Sequence, residues 1–222
     1  MIPKLKITFV LILSILALLC FSVIASIIQG KWIAQFDQAL ISVIQGLESP
    51  ELTVFMKVFT FIGSGTMVVI LSLSFILFIY FVLHHRLELI FFIVVIAGTG
   101  LFNYLLKLYF ARQRPDLHRL IQETSYSFPS GHSMEAFALY TSLAFLLWRH
   151  LSTRTGRSII IMLCIGMILL IGISRIYLGV HYPSDVIGGY LASGIWFTLA
   201  VWLFQWYKEY LDYNKKAKRI TS

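Results

Sequence analysis

Long apolar segments alternate with short polar ones along the whole chain. A helix needs about 20 apolar residues to cross the hydrocarbon layer of a membrane. Only helices and closed barrels can span lipid, and these segments lack the alternation of apolar and polar residues that barrel strands show. The pattern predicts an all-α integral membrane protein with six transmembrane helices. The predicted spans are Ile7–Ile28, Thr66–Leu83, Leu89–Leu106, Met134–Trp148, Ile159–Ile173 with an extension towards Leu178, and Val186–Trp206.

The segment between the first two spans, residues 29–65, is mixed in character. Its semi-apolar stretch Leu52–Ile62 leads into Gly63-Ser64-Gly65, and glycine and serine favour turns. We expect a short interfacial helix followed by a sharp turn into the next span. The alternative is one long helix that runs through the glycines. We treat the chain as a single membrane domain, 1–222, made of a first helix with an interfacial segment (1–62), a core (63–206) and a basic tail (207–222).

The composition agrees with a membrane protein. Of 222 residues, 59% are hydrophobic and 13% are charged, whereas ordinary soluble domains carry about 25% charged residues. A formal net charge of +8 could indicate nucleic-acid binding. However, most of the surplus lies on short loops between apolar segments, where the positive-inside rule accounts for it. We therefore expect the bilayer to be a partner and nucleic acid not to be one.

The lysines and arginines also predict an orientation. With the N-terminus in the cytoplasm, eleven of them fall on the inner side and seven on the outer side. This bias favours a multi-pass protein of the cytoplasmic membrane with both termini in the cytoplasm. Most of the outer cations crowd into one loop after the third span, and this crowding needs a separate explanation, such as catalysis.

Three polar clusters are expected on that outer face. The first contains Lys107, Arg112 and Arg114, the second is Ser130-Gly131-His132, and the third runs from Ser174 to Asp185. Because the fourth span crosses inward and the fifth returns, all three clusters lie at the same membrane surface. A channel or pump more often carries its charges near the midplane. The boundary position suits a lipid headgroup.

The third cluster holds the residues with the clearest chemistry. Arg175 offers five fixed donors that suit a phosphate or a carboxylate. His181 can act as a nucleophile or move a proton near neutral pH. Asp185 lies four residues further on and can orient the imidazole, so the set is suited to attack on an anionic phosphoryl group. The simpler interpretation is an arginine that reaches the headgroups and a histidine that caps a helix.

The other two clusters can support an anion. Lys107 and Arg114 supply positive charge, and Ser130-Gly131 opens a helix whose free N–H groups and dipole favour a negative ligand. Glu135 lies three residues after His132 and faces the same side of the helix. Glu135 either stabilises the first turn or pairs with His132 and keeps it protonated as a proton donor. We find no carboxylate or His/Cys cluster suited to a divalent metal, and no cofactor is expected.

The spacing of these residues resembles the three motifs of the type 2 phosphatidic acid phosphatase (PAP2) superfamily. Lys107, six residues and Arg114-Pro115 match the first motif, and Pro129-Ser130-Gly131-His132 matches the second. Ser174-Arg175, five residues, His181, three residues and Asp185 match the third. The similarity extends from about Gly63 to the sixth span. The chain is most similar to the bacterial membrane branch that includes phosphatidylglycerophosphatase B and undecaprenyl-diphosphate phosphatases.

The resemblance implies a PAP2-type helical bundle with its active site at the extracytoplasmic membrane face. It implies a metal-independent lipid phosphatase with a phosphohistidine intermediate. His181 would attack phosphorus, and Asp185 would hold its ring. Lys107, Arg114 and Arg175 would bind the phosphoryl oxygens, helped by Ser130 and the backbone of Gly131. His132 would protonate the leaving oxygen and then activate water.

Two other functions stay open at this point. A phosphotransferase on the same scaffold would pass the phosphoryl group to an acceptor other than water. A non-enzymatic transporter or scaffold could retain the fold, although intact His132, His181 and Asp185 weigh against it. The motifs recognise only a phosphoryl group, so phosphatidylglycerol phosphate, undecaprenyl diphosphate and phosphatidate all fit as the lipid substrate.

Overall fold

A computed structural model of the chain describes residues 7–116, 118–148 and 150–221. The described residues form an all-helical bundle, as expected. A single π-helical turn, Ile79–Leu83, follows the fourth helix. The helices are α1 (Ile7–Ile27), α2 (Lys31–Gln45), α3 (Pro50–Ile62), α4 (Gly65–Phe78), α5 (Arg86–Phe110), α6 (Gly131–Leu147), α7 (Arg154–Tyr177) and α8 (Pro183–Thr221).

Five segments are long and apolar enough to cross a membrane. They correspond to five of the six predicted spans and are Phe9–Ile27, Gly65–Leu83, Arg86–Phe110, Arg154–Tyr177 and Pro183–Leu211. The predicted fourth span coincides with α6, which has 17 residues. A helix of that length extends over about 25 Å, less than the roughly 30 Å of a hydrocarbon core. Length and composition therefore support five spans, and α6 falls short of the same criterion.

The segment between α1 and α4 contains more helix than the sequence pattern indicates. The predicted turn is present, because α3 ends at Ile62 and the Ser64 hydroxyl accepts the Met67 N–H to begin α4. The helix α2 was not predicted. It buries Ile33, Asp37 and Ile41 on one face, and their spacing of four residues is that of a helical stripe. At the other end of the chain, the basic tail continues α8 to Thr221.

Helix α6 lies in the middle of the bundle and packs against α4, α5, α7 and α8, while α1 packs along α8. One core cluster, which includes Phe75, Phe92 and Leu146, surrounds the C-terminal half of α6. A second cluster, which includes Phe128 and Met134, surrounds its N-terminal end. The three polar clusters lie at the end of the bundle where α6 begins.

Backbone hydrogen bonds join the segments at that end. The Ser130 N–H donates to the Asp185 carbonyl at 3.0 Å, and the Leu120 N–H donates to the Leu178 carbonyl at 3.0 Å. The loop 111–130 is thereby attached to the α7–α8 connection. As a result, the C-terminal ends of α5 and α7 and the N-terminal ends of α6 and α8 meet in one place.

Two glycines of α5 provide a matched test of this packing. A Cβ on Gly98 would lie 2.2 Å from the Trp196 ring, whereas a Cβ on Gly100 would meet nothing within 4 Å. Overpacking of this kind costs about 1–3 kcal/mol, so we expect Gly98→Ala to lower the thermal unfolding temperature in detergent. Gly100→Ala should leave it unchanged or raise it slightly, because alanine favours a helix. Equal unfolding temperatures for the two variants would contradict this packing of α5 on α8.

Candidate active site

His181 lies in the short connection between α7 and α8. The turn depends on Gly179, whose φ is +72°, a value that favours glycine. A Cβ at this position would also lie 2.0 Å from the His118 carbonyl oxygen. The turn directs the His181 side chain into the protein, where it is 1% exposed.

Asp185 is fully buried in the first turn of α8, and each of its oxygens has partners. Oδ2 accepts the Tyr182 N–H at 2.9 Å and the Ser127 hydroxyl, and it lies 3.4 Å from His181 Nδ1. Oδ1 accepts Arg112 Nη1 at 2.6 Å. Because all of these groups can donate, they favour the ionised carboxylate.

The neighbours of His181 define which ring nitrogen carries the proton. Arg114 Nη1 lies 3.1 Å from Nε2. A guanidinium can only donate, so Nε2 must present its lone pair. The proton then resides on Nδ1, on the side of Asp185. This is the tautomer that a nucleophilic Nε2 requires.

The protonation state of His181 agrees with this arrangement. Burial, and then the positive charges of Arg114, Arg175 and Lys107, hold the pKa of His181 well below its usual value. A lowered pKa means that the ring is neutral at physiological pH. The lone pair at Nε2 is therefore available without prior loss of a proton.

Lys107 and Arg114 are held together by the loop 111–130. Lys107 Nζ donates to the Ser125 hydroxyl at 3.0 Å and to the Tyr126 carbonyl at 2.6 Å. Arg114 donates to the same hydroxyl at 3.0 Å and to the Ser125 carbonyl at 2.6 Å. The shared hydroxyl keeps two cations close together, an arrangement that favours an anionic ligand.

Arg175 reaches the same place from the end of α7. Its Nη1 donates to the Thr60 hydroxyl and its Nη2 to Glu123 Oε1, both at 2.5 Å. Its Nε is buried and has no hydrogen-bond partner. Glu123 Oε2 also lies 3.9 Å from Arg114 Nη2. The Glu123 carboxylate thus lies between Arg175 and Arg114, two of the three cations that are expected to bind phosphate.

At the start of α6, the Ser130 hydroxyl has a structural role that the sequence did not predict. The Ser130 hydroxyl caps the helix, accepting the Ser133 N–H at 3.4 Å and the Ser133 hydroxyl at 2.9 Å. Its own proton is still free to donate. Gly131 packs against Asn103, and a Cβ there would lie 3.1 Å from Asn103 Oδ1.

His132 completes the set at the first turn of α6. Burial, and then the charge of Arg175 and of the other site cations, hold the pKa of His132 well below its usual value. Before it can donate a proton it needs a nearby negative charge, which the phosphoryl group of a substrate would supply. In the described structure Glu135 makes no hydrogen bond or ion pair with His132. Burial is the main influence on the Glu135 carboxyl group, and the charge of Lys107 opposes it.

The structure therefore brings together the residues that the sequence singled out and adds others. Asp37, Thr60, Glu123, Ser125 and Ser127 also contact the site, and we did not predict them. Asp37 could have been found from its place in the buried stripe of α2. The three loop residues belong to no periodic pattern. Within the described ranges, no group of three or more His, Cys, Asp or Glu side chains is suited to a metal ion.

Comparison with known proteins identifies the class. The family model of the PAP2 superfamily matches residues 88–209, and the chain belongs to this superfamily. The fold agrees with a crystal structure of a transmembrane PAP2-type phosphatidylglycerolphosphate phosphatase from Bacillus subtilis. The TM-score is 0.75 and the identity 30%, over 84% of this chain and 93% of that one. For Aquifex aeolicus LpxE the TM-score is 0.59 and the identity 27%, over 74% and 93% of the two chains.

Among related sequences, phosphatidylglycerophosphatase B of Bacillus subtilis is 40% identical over 129 residues, which cover 57% of this chain and 59% of that protein. A lipid A 1-phosphatase of Rhizobium johnstonii is 37% identical over 120 residues, or 50% and 44% of the two chains. The chain thus spans about half the length of these relatives. The family resemblance seen in the motifs is confirmed, and the chain is a multi-pass membrane protein with the PAP2 membrane phosphatase fold.

Glu123 offers a test of the anion site. Replacing it with glutamine removes a negative charge beside Arg175 and Arg114 but keeps an acceptor. We expect inorganic phosphate to bind about fivefold more tightly, because one partly exposed charge is worth about 1 kcal/mol. Isothermal titration in detergent measures this. Glu48→Gln is the control, since Glu48 pairs with exposed His118. Unchanged or weaker binding in Glu123→Gln would contradict an anion site at these arginines.

Proposed function

We propose that the chain is a lipid phosphatase that removes a terminal phosphoryl group from a lipid phosphate or diphosphate. The observation that carries the proposal is the contact of Arg114 Nη1 with His181 Nε2 at 3.1 Å. The contact directs the Nε2 lone pair at a fixed cation, which must turn to a phosphoryl oxygen before Nε2 attacks. Arg175 and Lys107 exert their charges on the same histidine. Phosphoryl transfer depends mainly on positioning and charge stabilisation, which is what such a set supplies.

In the first step, His181 Nε2 attacks phosphorus and forms the P–N bond while the P–O bond to the lipid breaks. Lys107, Arg114 and Arg175 bind the phosphoryl oxygens, together with the Ser130 hydroxyl and the Gly131 backbone. Glu123 must yield its place on Arg175 to the substrate. His132 gives its proton to the leaving lipid oxygen, and Asp185 stabilises the positive charge that develops on the His181 ring.

In the second step, His132 removes a proton from water, and the resulting hydroxide attacks phosphorus. The P–N bond breaks, His181 regains its lone pair, and inorganic phosphate leaves. His132 is again protonated for the next cycle. We propose that the three cations perform the charge neutralisation that a metal ion provides in other phosphatases, so that the reaction is metal-independent.

For topology, we propose six crossings, with both termini in the cytoplasm and the active site on the outer face. Helix α6 is the short crossing. It begins at the site, and α7, which is long enough to span the membrane, ends there. The chain must therefore traverse the bundle along α6 to reach the start of α7. The excess of lysine and arginine on the other side supports the orientation.

We propose a division into an N-terminal segment 1–62, a catalytic core 63–206 and a tail 207–222, with one addition. Asp37 and Thr60 belong to the N-terminal segment, yet Asp37 binds Arg112 and Thr60 binds Arg175. The N-terminal segment thus contributes to the site that the core carries.

For the substrate, we propose phosphatidylglycerol phosphate or undecaprenyl diphosphate, with phosphatidate as a third possibility. The similar proteins support both leading candidates, since one is named phosphatidylglycerophosphatase B and another a putative undecaprenyl-diphosphatase of Escherichia coli. The latter is 42% identical over 69 residues, or 31% of this chain and 30% of that protein.

The first test is phosphate release by the purified chain from these three lipids in detergent with excess EDTA. We expect release that persists in EDTA and disappears in His181→Ala. The ranking of kcat/KM then identifies the preferred lipid. Absence of release by folded protein, or release that EDTA abolishes, would contradict the proposal. If the phosphoryl group appears on a lipid acceptor instead of in inorganic phosphate, the chain is a phosphotransferase.

Glu135 is proposed as a modulator, and its mode of action can be tested. Because it experiences the charge of Lys107 and does not contact His132, we expect Glu135→Gln to lower KM by about two- to fivefold. Both limbs of the pH–rate profile should stay in place. A shift of the base-side limb to lower pH would contradict this. It would show instead that Glu135 keeps His132 protonated.

A further inference from the structure

Arg112 lies between two buried carboxylates, although it belongs to none of the three motifs. Its Nη1 donates to Asp185 Oδ1 at 2.6 Å, and its Nη2 donates to Asp37 Oδ2 at 3.0 Å. Asp37 is 1% exposed and Asp185 is fully buried. Asp37 also lies in α2, well before the residues that match the family. One guanidinium thus links the N-terminal segment to the proposed catalytic aspartate.

Ser184 closes this network at the start of α8. Its N–H donates to Asp37 Oδ1 at 2.8 Å, and its hydroxyl donates to Asp37 Oδ2 at 2.7 Å. The same hydroxyl accepts Arg112 Nη1 at 2.8 Å. Asp37 therefore accepts N–H and O–H groups at the first turn of α8, where a negative charge is favourable. Arg112, Asp37 and Ser184 form a closed ring of hydrogen bonds, and Asp185 is attached to it through Arg112.

Two further contacts limit the movement of Arg112. Its guanidinium carbon lies 4.1 Å from the centre of the Tyr182 ring, in a cation–π arrangement. Its backbone carbonyl accepts the Ser127 N–H at 2.8 Å, and the Ser127 hydroxyl donates to Asp185. Arg112 thus acts on Asp185 directly and also by holding Ser127 in place.

The two oxygens of Asp185 have different partners, and the difference matters for catalysis. Oδ2 faces His181 Nδ1, the Tyr182 N–H and the Ser127 hydroxyl. Oδ1 has Arg112 as its side-chain partner. Without Arg112, a buried carboxylate oxygen loses its charged donor, and an unpaired buried charge is costly. The carboxylate would then rotate or take up a proton, and either change releases His181.

We propose that Asp37 and Arg112 are positioning residues, which fix the Asp185 carboxylate so that it holds the His181 ring with Nε2 directed at the phosphoryl group. The inference rests on the proposed phosphatase function. It adds a requirement for α2, because the position of Arg112 depends on the Asp37 carboxylate.

The charge of Asp37 is essential to this role. Burial raises the pKa of Asp37, and the donors from Ser184 and Arg112 oppose that change. An asparagine at position 37 has nearly the same shape and can still accept from Ser184. However, it has no negative charge and only one acceptor oxygen, for which Ser184 and Arg112 would compete. Arg112 would then share its charge with Asp185 alone and lose one of its two anchors.

The test compares Arg112→Ala, Arg112→Lys and Asp37→Asn with wild type in the phosphate-release assay. We expect kcat to fall about 10- to 100-fold in Arg112→Ala and about tenfold in Asp37→Asn, by analogy with the range seen when a residue that orients a metal ligand is replaced. Arg112→Lys keeps the charge but not the two-pronged geometry, so its loss should be intermediate. KM should change less than about threefold, because Lys107, Arg114 and Arg175 are intact.

Three controls separate positioning from general damage. Glu48→Gln is the matched change from carboxylate to amide, and it should leave kcat as in wild type. Inhibition by inorganic phosphate should be unchanged in Asp37→Asn and Arg112→Ala, which reports a folded anion site. Guanidinium at a concentration below denaturation should restore part of the kcat of Arg112→Ala, because the Arg112 side chain is 11% exposed and its place can be reached from water. It should not restore His181→Ala.

The outcomes are distinct. A loss of kcat with KM preserved, and rescue of Arg112→Ala by guanidinium, support the inference. If wild type is active and Asp37→Asn and Arg112→Ala keep its kcat, or if they lose phosphate inhibition along with kcat, the inference is wrong and the phosphatase function stands. If wild type releases no phosphate from any of the lipids, the proposed function fails and the inference fails with it.

The double variant of Asp37→Asn and Arg112→Ala should lose less activity than the product of the two single losses, because both residues act on one carboxylate.

Discussion

The buried carboxylate of Asp185 needs a donor for each oxygen, and this need organises one end of the bundle. A charge withdrawn from water is stable only when neighbouring groups replace the hydrogen bonds and the counter-charge that water supplied. Here the replacements come from three segments of the chain. The loop 111–130 brings Arg112 and Ser127, the turn before α8 brings the Tyr182 N–H, and α2 anchors Arg112 through Asp37. The packing of these segments therefore follows from the requirement to satisfy one anion in an apolar surrounding.

The same principle explains how the buried cations of the site are paired. Arg175 is 1% exposed, and Glu123 provides its negative partner. Glu123 is itself only partly buried, so it can leave without creating an isolated buried carboxylate. A phosphoryl group has more oxygens and more charge than a carboxylate, and it can satisfy Arg175, Arg114 and Lys107 together. The charges of Arg175 and Arg114 are thus compensated by a group that a substrate is able to replace.

Prediction from the sequence succeeded for features that depend on neighbouring residues and missed contacts between residues far apart in the chain. Hydropathy located the long helices, because twenty apolar residues have few alternatives to a membrane span. The order of the spans brought Lys107, Ser130 and His181 to one face, since each crossing reverses the direction of the chain. The pattern did not reveal α2, whose apolar stripe is short and interrupted by Asp37. It also did not reveal that the Ser130 hydroxyl, which we expect to donate to the ligand, accepts from Ser133 and so caps α6. Both omissions have a common cause, because polar groups within a fold bind whatever donor or acceptor lies nearest.

The sequence by itself determined that this is a helical membrane protein, which residues are candidates for its chemistry, and which family it resembles. These properties follow from composition, from the length of apolar segments and from spacing along the chain. Only the tertiary structure decided that Nε2 of His181 holds the lone pair, that Glu123 stands between Arg175 and Arg114, and that Asp37 reaches Arg112 across 75 positions of sequence. The physical reason is that hydrogen bonds and ion pairs act over a few ångströms in space, whatever the separation in sequence. The partners of a buried charge are therefore known only once the helices have packed.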